Sequence, residues 1–413
     1  MPQAEHTAER ASASPDANPL RGIRVLELGQ FIAGPFAGLM LADMGAEVIK
    51  IERPGSGDPF RGFGTGGPDG RFTGYSHNFT AFNRNKRSLS LDLGKPRGQA
   101  LFRELAAKAD VVLENNRPGV LQRLGFDWDA LRAINPRLIY CSITGFSTDG
   151  PYKDRPAYDA IGQSLSGMLG TLLDPSDPRM RGPTITDQIT GMQAAYGVLG
   201  ALMGRERSGQ GARVEISLLD ASMFHMPDSF TALTQSGFTM NSETRAAFSL
   251  TFAFRCADEK VIGIQVSSTE KFWRALLKAI GQEAIGADPR FADRPGRIRN
   301  FSALIETLRP IFATQPRVHW LDTLSEHDVP CAPVHSIPEA MADPEVQHLK
   351  LFHEVQHPRR GALTMMHRAV RLDGQREADP LPPPELGEHS DAVLTSFGVP
   401  AAEISALRAE GVV

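Results

Sequence analysis

The stretch "IRVLELGQFIAGPFAGLMLADMGAEVIKIE", residues 23–52, decides the fold class. A short apolar run is followed by a helical segment and then by a second short run rich in Val and Ile, which is typical of a βαβ unit. Further strands are predicted at 87–93, 110–115 and 138–143, with helical segments between them. This alternation predicts an α/β domain built on a mainly parallel, doubly wound sheet.

Ligands of such sheets bind beyond the carboxyl ends of the strands, so the loops after the predicted strands are expected to line one crevice. The first loop, "GQFIAGPFAG" at 29–38, lacks the G-x-G-x-x-G pattern of dinucleotide-binding folds and the Lys-Ser or Lys-Thr of a P-loop. A simple NAD or ATP site is therefore disfavoured. Gly34 and Pro35 turn the chain into a helix N-terminus, which is either a close-packed turn or a place for an anion or carbonyl oxygen.

The chain of 413 residues is long enough for two domains, and its formal charge of −4 gives no reason to expect a nucleic-acid partner. The three cysteines, Cys141, Cys256 and Cys331, lie far apart without a C-x-x-C pair, which fits a reducing cytoplasm and argues against a thiolate metal site. The pattern contains no apolar run of membrane-spanning length. Residues 1–19 have no apolar signal region and are expected to form a disordered tail.

The character of the sequence changes twice along the chain. Residues 20–225 carry the alternation of strands and helices, whereas 240–330 contain a predicted β-hairpin, "LTFAFRC" with "KVIGIQV", followed by helices. Residues 331–413 are rich in Pro and turn residues and end in a helix. We therefore predict a large domain, a small α+β domain and a C-terminal segment that wraps a folded body.

Basic residues recur near the predicted strand ends, at Arg53, Lys86, Arg87 and Arg123. A ligand with several phosphates needs such charges converging from different loops. For any one of them a solvated surface position is the commoner arrangement, so their spacing leaves both interpretations open.

Asp187 in "TITDQITGMQAAYGVLGAL", residues 184–202, stands where a long helix should begin. Asp is among the best N-cap residues, so a structural cap is the simplest prediction. The same position keeps a carboxylate ionised, and an ionised carboxylate can attack an electrophilic carbonyl. Asp187 is therefore a candidate nucleophile as well as a cap, and no G-x-S-x-G motif offers a competing centre.

Long motifs follow one another in order along almost the whole chain. They are "PLRGIRVLELGQFIAGPFAGLMLADMGAEVIKIERPGSGDPFR", "FNRNKRSLSLDL", "ADVVLENNRPGVLQRLGFDWDALRAINPRLIYCSITGF", "GPYKDRPAYDAIGQSLSGMLG", "ITDQITGMQAAYGVLGAL" and "LGEHSDAVLTSFGV". In these motifs the chain resembles the class III CoA-transferases, the CaiB/BaiF family of formyl-CoA transferase and carnitine CoA-transferase, which is related to α-methylacyl-CoA racemase.

The resemblance implies a Rossmann-like large domain built from N- and C-terminal segments, a small domain between them, and an interlocked homodimer. It implies an acyl-CoA:carboxylate CoA-transferase that has no tightly bound cofactor and no metal, and that uses CoA and acyl-CoA as substrates. Asp187 matches the family's catalytic aspartate, which attacks the donor thioester to give an aspartyl anhydride and then an aspartyl-CoA thioester.

The same resemblance implies a set of binding residues. They are Arg53, Lys95, Asn115 and Arg123 along the CoA cleft, and Gln30, Ile32, Tyr158 and Asp159 close to the reacting thioester. Short dicarboxylic acids such as succinate are the expected substrates, with succinyl-CoA as a donor.

Two departures from the family pattern bear on the reaction. Related racemases carry a histidine at the position of Tyr158, and a phenol is a poor base near neutral pH, so transfer is favoured over racemisation. The glycine-rich loop of formyl-CoA transferase is replaced by "MNSETRAAFSLTFAFRC" at 240–256, so formate and oxalate are not expected as substrates. The alternatives are an isomerase acting α to a thioester carbonyl and a CoA-binding paralogue without turnover.

Overall fold

A computed structural model describes residues 18–63, 75–174, 176–267, 270–376 and 380–413. The expected disordered tail, 1–19, lies outside the described residues except for Asn18 and Pro19. The chain divides into two compact units, one formed by residues up to 166, 182–225 and 351–413, and the other by 167–181 and 226–350. The second unit therefore starts before 240 and ends after 330, the boundaries predicted for the small domain.

In the first unit the strands and helices alternate as the sequence predicts. The elements of both units are numbered in chain order. The strands are β1 Arg24–Leu28, β2 Glu47–Glu52, β3 Lys86–Ser90, β4 Val111–Glu114, β5 Ile139–Thr144, β6 Arg213–Ser217, β7 Thr251–Arg255, β8 Val261–Gln265, β9 Cys331–Pro333, β10 Phe352–His357 and β11 Gly361–Met366. The helices are α1 Ala33–Asp43, α2 His77–Phe82, α3 Pro96–Ala106, α4 Val120–Arg123, α5 Trp128–Ile134, α6 Asp159–Leu165, α7 Ile185–Ser208, α8 Leu218–Phe224, α9 Pro227–Ser236, α10 Thr244–Ser249, α11 Glu270–Ala279, α12 Arg294–Arg299, α13 Phe301–Phe312, α14 Arg317–Glu326, α15 Ile337–Ala342, α16 Pro344–Leu349, α17 Ser390–Ser396 and α18 Ala401–Ala409.

The first unit is built on a six-stranded sheet in the order β3-β2-β1-β4-β5-β6, with every neighbouring pair parallel. This confirms the predicted parallel α/β sheet. Successive side chains point to opposite faces of a strand, and both Val25 and Leu26 of β1 are fully buried, which shows that helices cover both faces. Val25 packs in a core with residues of α1 and α7, and Leu26 in a core with residues of α3, α17 and α18.

Helix α7 packs against α1, and this contact places the start of α7 beside the first βα loop. A Cβ atom at Gly191 would lie only 2.8 Å from the carbonyl oxygen of Ala33, so a side chain there would force the two helices apart. Glycine is thus needed at position 191 for the close approach.

The second unit contains an antiparallel sheet in the order β7-β8-β9, and β7 with β8 forms the hairpin predicted from the sequence. Its core is rich in aromatic side chains, which include Trp273 and the stacked pair Phe254 and Phe312. Within the described part of the chain, no helix is long and apolar enough to cross a bilayer.

Candidate active site

A cavity of about 310 Å³ opens at the carboxyl ends of β1, β4 and β5, where the strand pattern predicts a crevice. The loops after these three strands and the first turn of α7 form its wall. Its lining residues include Gln30, Ile32, Asn115, Tyr158 and Asp187, five of the residues that the sequence predicts for the site.

Asp187 is not the N-cap of α7, so that part of the sequence prediction is wrong. The N-cap is Thr184, whose side chain makes no capping hydrogen bond, and Asp187 is the third residue of the helix. The main-chain N–H of Asp187 donates to Oδ1 of Asp159, at 3.0 Å. The carboxylate that caps α7 therefore comes from α6, and the Asp187 carboxylate faces the cavity instead.

The environment of Asp187 disfavours its charged form. Burial, and after it the nearby carboxylate of Asp159, raise the pKa of Asp187 to about 7. Asp159 also accepts a hydrogen bond from Nε2 of Gln163, and within the described residues neither aspartate has a Lys or Arg in ion-pair contact. The raised pKa means that the helix N-terminus does not hold Asp187 fully ionised at neutral pH, contrary to the sequence prediction.

The loop after β1 is fixed by Asn115. The side-chain oxygen of Asn115 accepts the N–H of Gln30 at 2.8 Å, and its amide nitrogen donates to the carbonyl of Gln30 at 2.9 Å. The sequence suggests that Asn115 contacts substrate, whereas in the structure its carboxamide is committed to this backbone. The Gln30 side chain is exposed at the cavity.

The turn after β4 is held by Glu114, the last residue of that strand. This buried carboxyl accepts the main-chain N–H of Asn116 at 2.8 Å and the hydroxyl of Ser142, and burial raises its pKa above the usual value. The turn brings Arg117 to the cavity. Glu114 therefore helps to present a cation to the site.

Three cations that the sequence reasoning did not single out line the cavity: Arg117, Lys153 and Arg155. None of the three makes an ion pair with an acid of the described chain, and Arg155 lies over the ring of Tyr152 at 3.9 Å. All three lie in the loops after β4 or β5, so the expectation that these loops line one crevice could have found them. They can hold carboxylate or phosphate groups, and among the described residues no cluster of His, Cys, Asp and Glu could hold a metal.

The cations predicted to bind CoA fall in different places. Arg53 lines a second cavity of about 480 Å³, which shares Gln30 and Asn116 with the first. Arg123 is exposed at the last residue of α4. Lys95 donates from Nζ to the carbonyls of Glu410 and Gly411, so its ammonium group is engaged with the end of α18 rather than with the crevice.

Lys86 and Arg87 do not stand at a ligand-binding strand end. They open β3 instead of following it, which places them at the opposite edge of the sheet. Lys86 is fully buried and contacts Glu27, and Arg87 pairs with Glu47. The periodicity shows that a strand is present but not which of its ends a flanking cation occupies.

Tyr158 and Ile32 line the same wall. Tyr158 is the N-cap of α6 and is 60% exposed, and its ring meets the ring of Phe31 edge to face. Ile32 is the N-cap of α1 and is buried against Phe60 and Phe79. Tyr158 is thus accessible to a ligand, whereas Ile32 mainly packs the base of the loop.

Comparison with known proteins agrees with this geometry. The family model "CoA-transferase family III" matches residues 20–390. Succinyl-CoA--D-citramalate CoA-transferase of Chloroflexus aurantiacus is 33% identical over 96% of this chain and 98% of its own, and mouse (Mus musculus) succinyl-CoA:glutarate CoA-transferase is 32% identical over 91% and 86%. A solved CaiB/BaiF family protein from Brucella suis superposes with a TM-score of 0.80, at 30% identity over 92% of this chain and 99% of that one.

The match runs through both units of the fold and includes the first βα loop, the β4 turn and the start of α7. The chain therefore belongs to CoA-transferase family III and is an acyl-CoA:carboxylate CoA-transferase.

Proposed function

We propose that this enzyme transfers CoA from a short dicarboxylyl-CoA, with succinyl-CoA as donor, to a second carboxylic acid, and that Asp187 is the nucleophile. The observation that carries the proposal is the position of the Asp187 carboxylate. It opens onto a cavity lined by three cations, Arg117, Lys153 and Arg155, that have no acid partner in the described chain.

The proposed reaction begins when an Asp187 carboxylate oxygen attacks the donor carbonyl carbon and CoA leaves as thiolate, which forms a mixed anhydride. The thiolate then attacks the aspartyl carbonyl of the anhydride. This releases the donor acid as a carboxylate and leaves an aspartyl-CoA thioester. The acceptor carboxylate repeats the two steps in reverse order, so that the new acyl-CoA departs and the Asp187 carboxylate is regenerated.

A pKa near 7 suits Asp187 for this chemistry. A carboxylate that is poorly stabilised in the free enzyme loses little when it gives up its charge to an acyl group, because burial already disfavours the charge. The same burial means that only the ionised fraction attacks, so activity should rise with pH through about 7.

A dicarboxylate suits the cavity because one carboxylate must reach Asp187 while the other needs a cation. Arg155 offers a planar guanidinium for bidentate binding, and Lys153 stands two residues away on the same loop. Several relatives carry names that include succinyl-CoA, which supports the same substrate class. The nucleotide end of CoA is proposed to lie toward Arg53 and Arg123, through the second cavity.

The direct test is mass spectrometry of the purified protein incubated in deuterated water with succinyl-CoA and a panel of isotopically labelled acids: glutarate, malate, citramalate, mesaconate, oxalate and acetate. A new acyl-CoA that keeps the label of its acid shows transfer and identifies the acceptor. Deuterium in the succinyl group without a new acyl-CoA would show an isomerase instead. An Asp187→Asn protein is the matched control, because it keeps the size of the side chain and cannot form an anhydride.

We also propose that the enzyme is a homodimer. On α7, the side chains of Met192, Tyr196 and Met203 share one face and are 50%, 74% and 64% exposed, which is unusual for large apolar groups in a stripe. A second copy of this chain is the proposed cover. Light scattering should report a dimer for the wild type and a lower mass for Tyr196→Glu, and a monomeric wild type at micromolar concentration would contradict the proposal.

We propose the cytoplasm as its compartment. Cys141, Cys256 and Cys331 are all free thiols, as expected where disulfides are kept reduced.

A further inference from the structure

Phe31, in the loop that lines the cavity, has a strained backbone. Its φ is +62°, in the left-handed region that residues other than glycine rarely adopt. The peptide N–H of Phe31 donates to Oδ1 of Asp58 at 3.2 Å. Asp58 lies in a different loop, after β2, and is 2% exposed, so this contact ties the strained residue to the interior of the unit.

Asp58 is itself held by a buried lysine. Nζ of Lys50 lies 2.9 Å from Oδ2 of Asp58 and 3.0 Å from Oε1 of Glu27, and it donates to the carbonyl oxygen of Gly29 at 2.6 Å. The same ammonium group thus fixes the Asp58 carboxylate and the first peptide of the loop. Asn115 binds both the peptide N–H and the carbonyl oxygen of Gln30. Gly29, Gln30 and Phe31 are therefore three consecutive loop residues whose backbones are each held by a side chain from another element.

The ring of Phe31 carries this constraint to the cavity wall. It meets the ring of Phe60 at 5.3 Å on one side and the ring of Tyr158 at 5.9 Å on the other, both edge to face. Phe31 and Tyr158 line the same cavity as Asp187. If the backbone of Phe31 left its strained conformation, the ring would leave Tyr158 and the wall of the cavity that Asp187 also lines would change shape.

We infer that Asp58, held by Lys50, is a positioning residue for CoA transfer: it keeps Phe31 in the left-handed conformation that shapes the cavity facing Asp187. The inference rests on the proposed function for its kinetic consequence. Asp58 touches no reacting group and acts only through Phe31. Its Oδ1 also accepts the N–H of Phe60, which orients the ring that packs under Phe31.

The test compares Asp58→Ala with Asp127→Ala. Asp127 is a matched control because it caps α5 through the N–H of Ala130, as Asp58 caps its own short turn, but it lies outside the cavity lining. Amide hydrogen exchange of the peptide covering 28–34 should become faster in Asp58→Ala and stay unchanged in Asp127→Ala. With succinyl-CoA and glutarate, kcat should fall about tenfold or more in Asp58→Ala while KM for succinyl-CoA stays within about twofold.

Two further variants keep the inference open to refutation. Lys50→Met/Asp58→Leu removes acid and base together, so it leaves no buried charge without a partner and should fold even where Asp58→Ala does not. It should show the same loss of kcat. In a Phe31→Gly background, Asp58→Ala should cost much less in kcat than it costs in the wild type, since glycine adopts a positive φ without strain.

Unchanged loop exchange in Asp58→Ala or in the double variant, or faster exchange with unchanged kcat, would overturn the inference. If the wild type transfers no CoA, the proposed function fails, whereas the exchange rates still decide whether Asp58 holds the loop.

Discussion

Two groups of acidic side chains near the same loop differ in how their charge is compensated. In the buried ion cluster, formed by Glu27, Lys50, Glu52, Asp58, Arg61 and Lys86, three acids are matched by three bases. In the active-site pair, formed by Asp159 and Asp187, two carboxylates lie together, and the described chain puts no base in ion-pair contact with either.

The difference shows in the pKa values. Burial acts to raise the pKa of Glu52, but the Arg61 guanidinium, with Lys50 and the Ser88 hydroxyl, holds the value below normal. Burial raises the pKa of Asp187 to about 7, and its charged neighbour, the acid Asp159, adds to this rise instead of opposing it. A buried carboxylate that is paired with a base helps to hold the fold together. A buried carboxylate without a paired base is stabilised when acylation removes its charge.

Removing the nucleophile should have the largest effect. Asp187→Asn should lower kcat/KM for CoA transfer by about 10³-fold or more, because the amide cannot form the anhydride and the neighbouring carboxylate of Asp159 does not line the cavity. The thermal midpoint should not fall, since the amide removes a poorly compensated charge. Steady-state transfer from succinyl-CoA to glutarate measures the first quantity and calorimetry the second; near-normal turnover would place the nucleophile elsewhere.

Breaking the ion cluster should act on stability instead. Arg61→Met leaves Glu52 buried without its main partner and should lower the free energy of unfolding by about 3–5 kcal/mol. The control is Arg137→Met, which removes an exposed pair with Glu206 at 3.8 Å and should cost about 1 kcal/mol or less. Urea unfolding measures both, and equal losses would show that the cluster is not more important than a surface pair.

Within the described chain the cavity cations have no acid partner, so they should act on binding rather than folding. Arg155→Gln should raise KM for a dicarboxylate acceptor by about 10–100-fold and leave a monocarboxylate nearly unaffected. Arg132→Gln is matched, because Arg132 also lies over an aromatic ring, that of Trp128, away from the cavity. An equal rise in KM for dicarboxylate and monocarboxylate acceptors would show that Arg155 binds CoA, or attracts anions in general, instead of binding the second carboxylate.

Asp159→Asn should have the smallest effect and should appear mainly in the pH profile. The substitution removes the second cause of the raised pKa of Asp187 while keeping an oxygen for its N–H, so Asp187 should ionise at lower pH. Since only the ionised form attacks, the acid limb of kcat/KM should move to lower pH. Asp154 is exposed, so Asp154→Asn is the control and should leave the acid limb in place. An unmoved limb in Asp159→Asn would show that Asp159 does not affect the ionisation of Asp187.

The sequence predicts the sheet well because alternation of apolar runs is a local signal, and each predicted strand is present. It predicts Asp187 at the start of α7, but not that Asp159 supplies the cap, because that contact joins two helices that lie apart in the chain. The placement of Lys86 is missed for a related reason. A lysine beside a strand can be a surface cation or a buried partner, and only packing against Glu27 distinguishes the two.

The ion cluster has no local signature either. Its members are separated by up to 59 positions, between Glu27 and Lys86, and come from three strands and one loop. Gly38 shows the constraint most clearly, since a Cβ atom there would lie 1.8 Å from Oε2 of Glu27. From the sequence alone this glycine is only one small residue in an apolar helix.

The most direct test of Asp187 as nucleophile is to mix the enzyme with succinyl-CoA without an acceptor, quench in acid, digest with pepsin and map covalent adducts by mass spectrometry. CoA should be attached through a thioester to the peptide containing Asp187, and the adduct should be absent from Asp187→Asn. An adduct on another residue, or full turnover of a labelled acceptor with no adduct at any quench time, would contradict this role of Asp187.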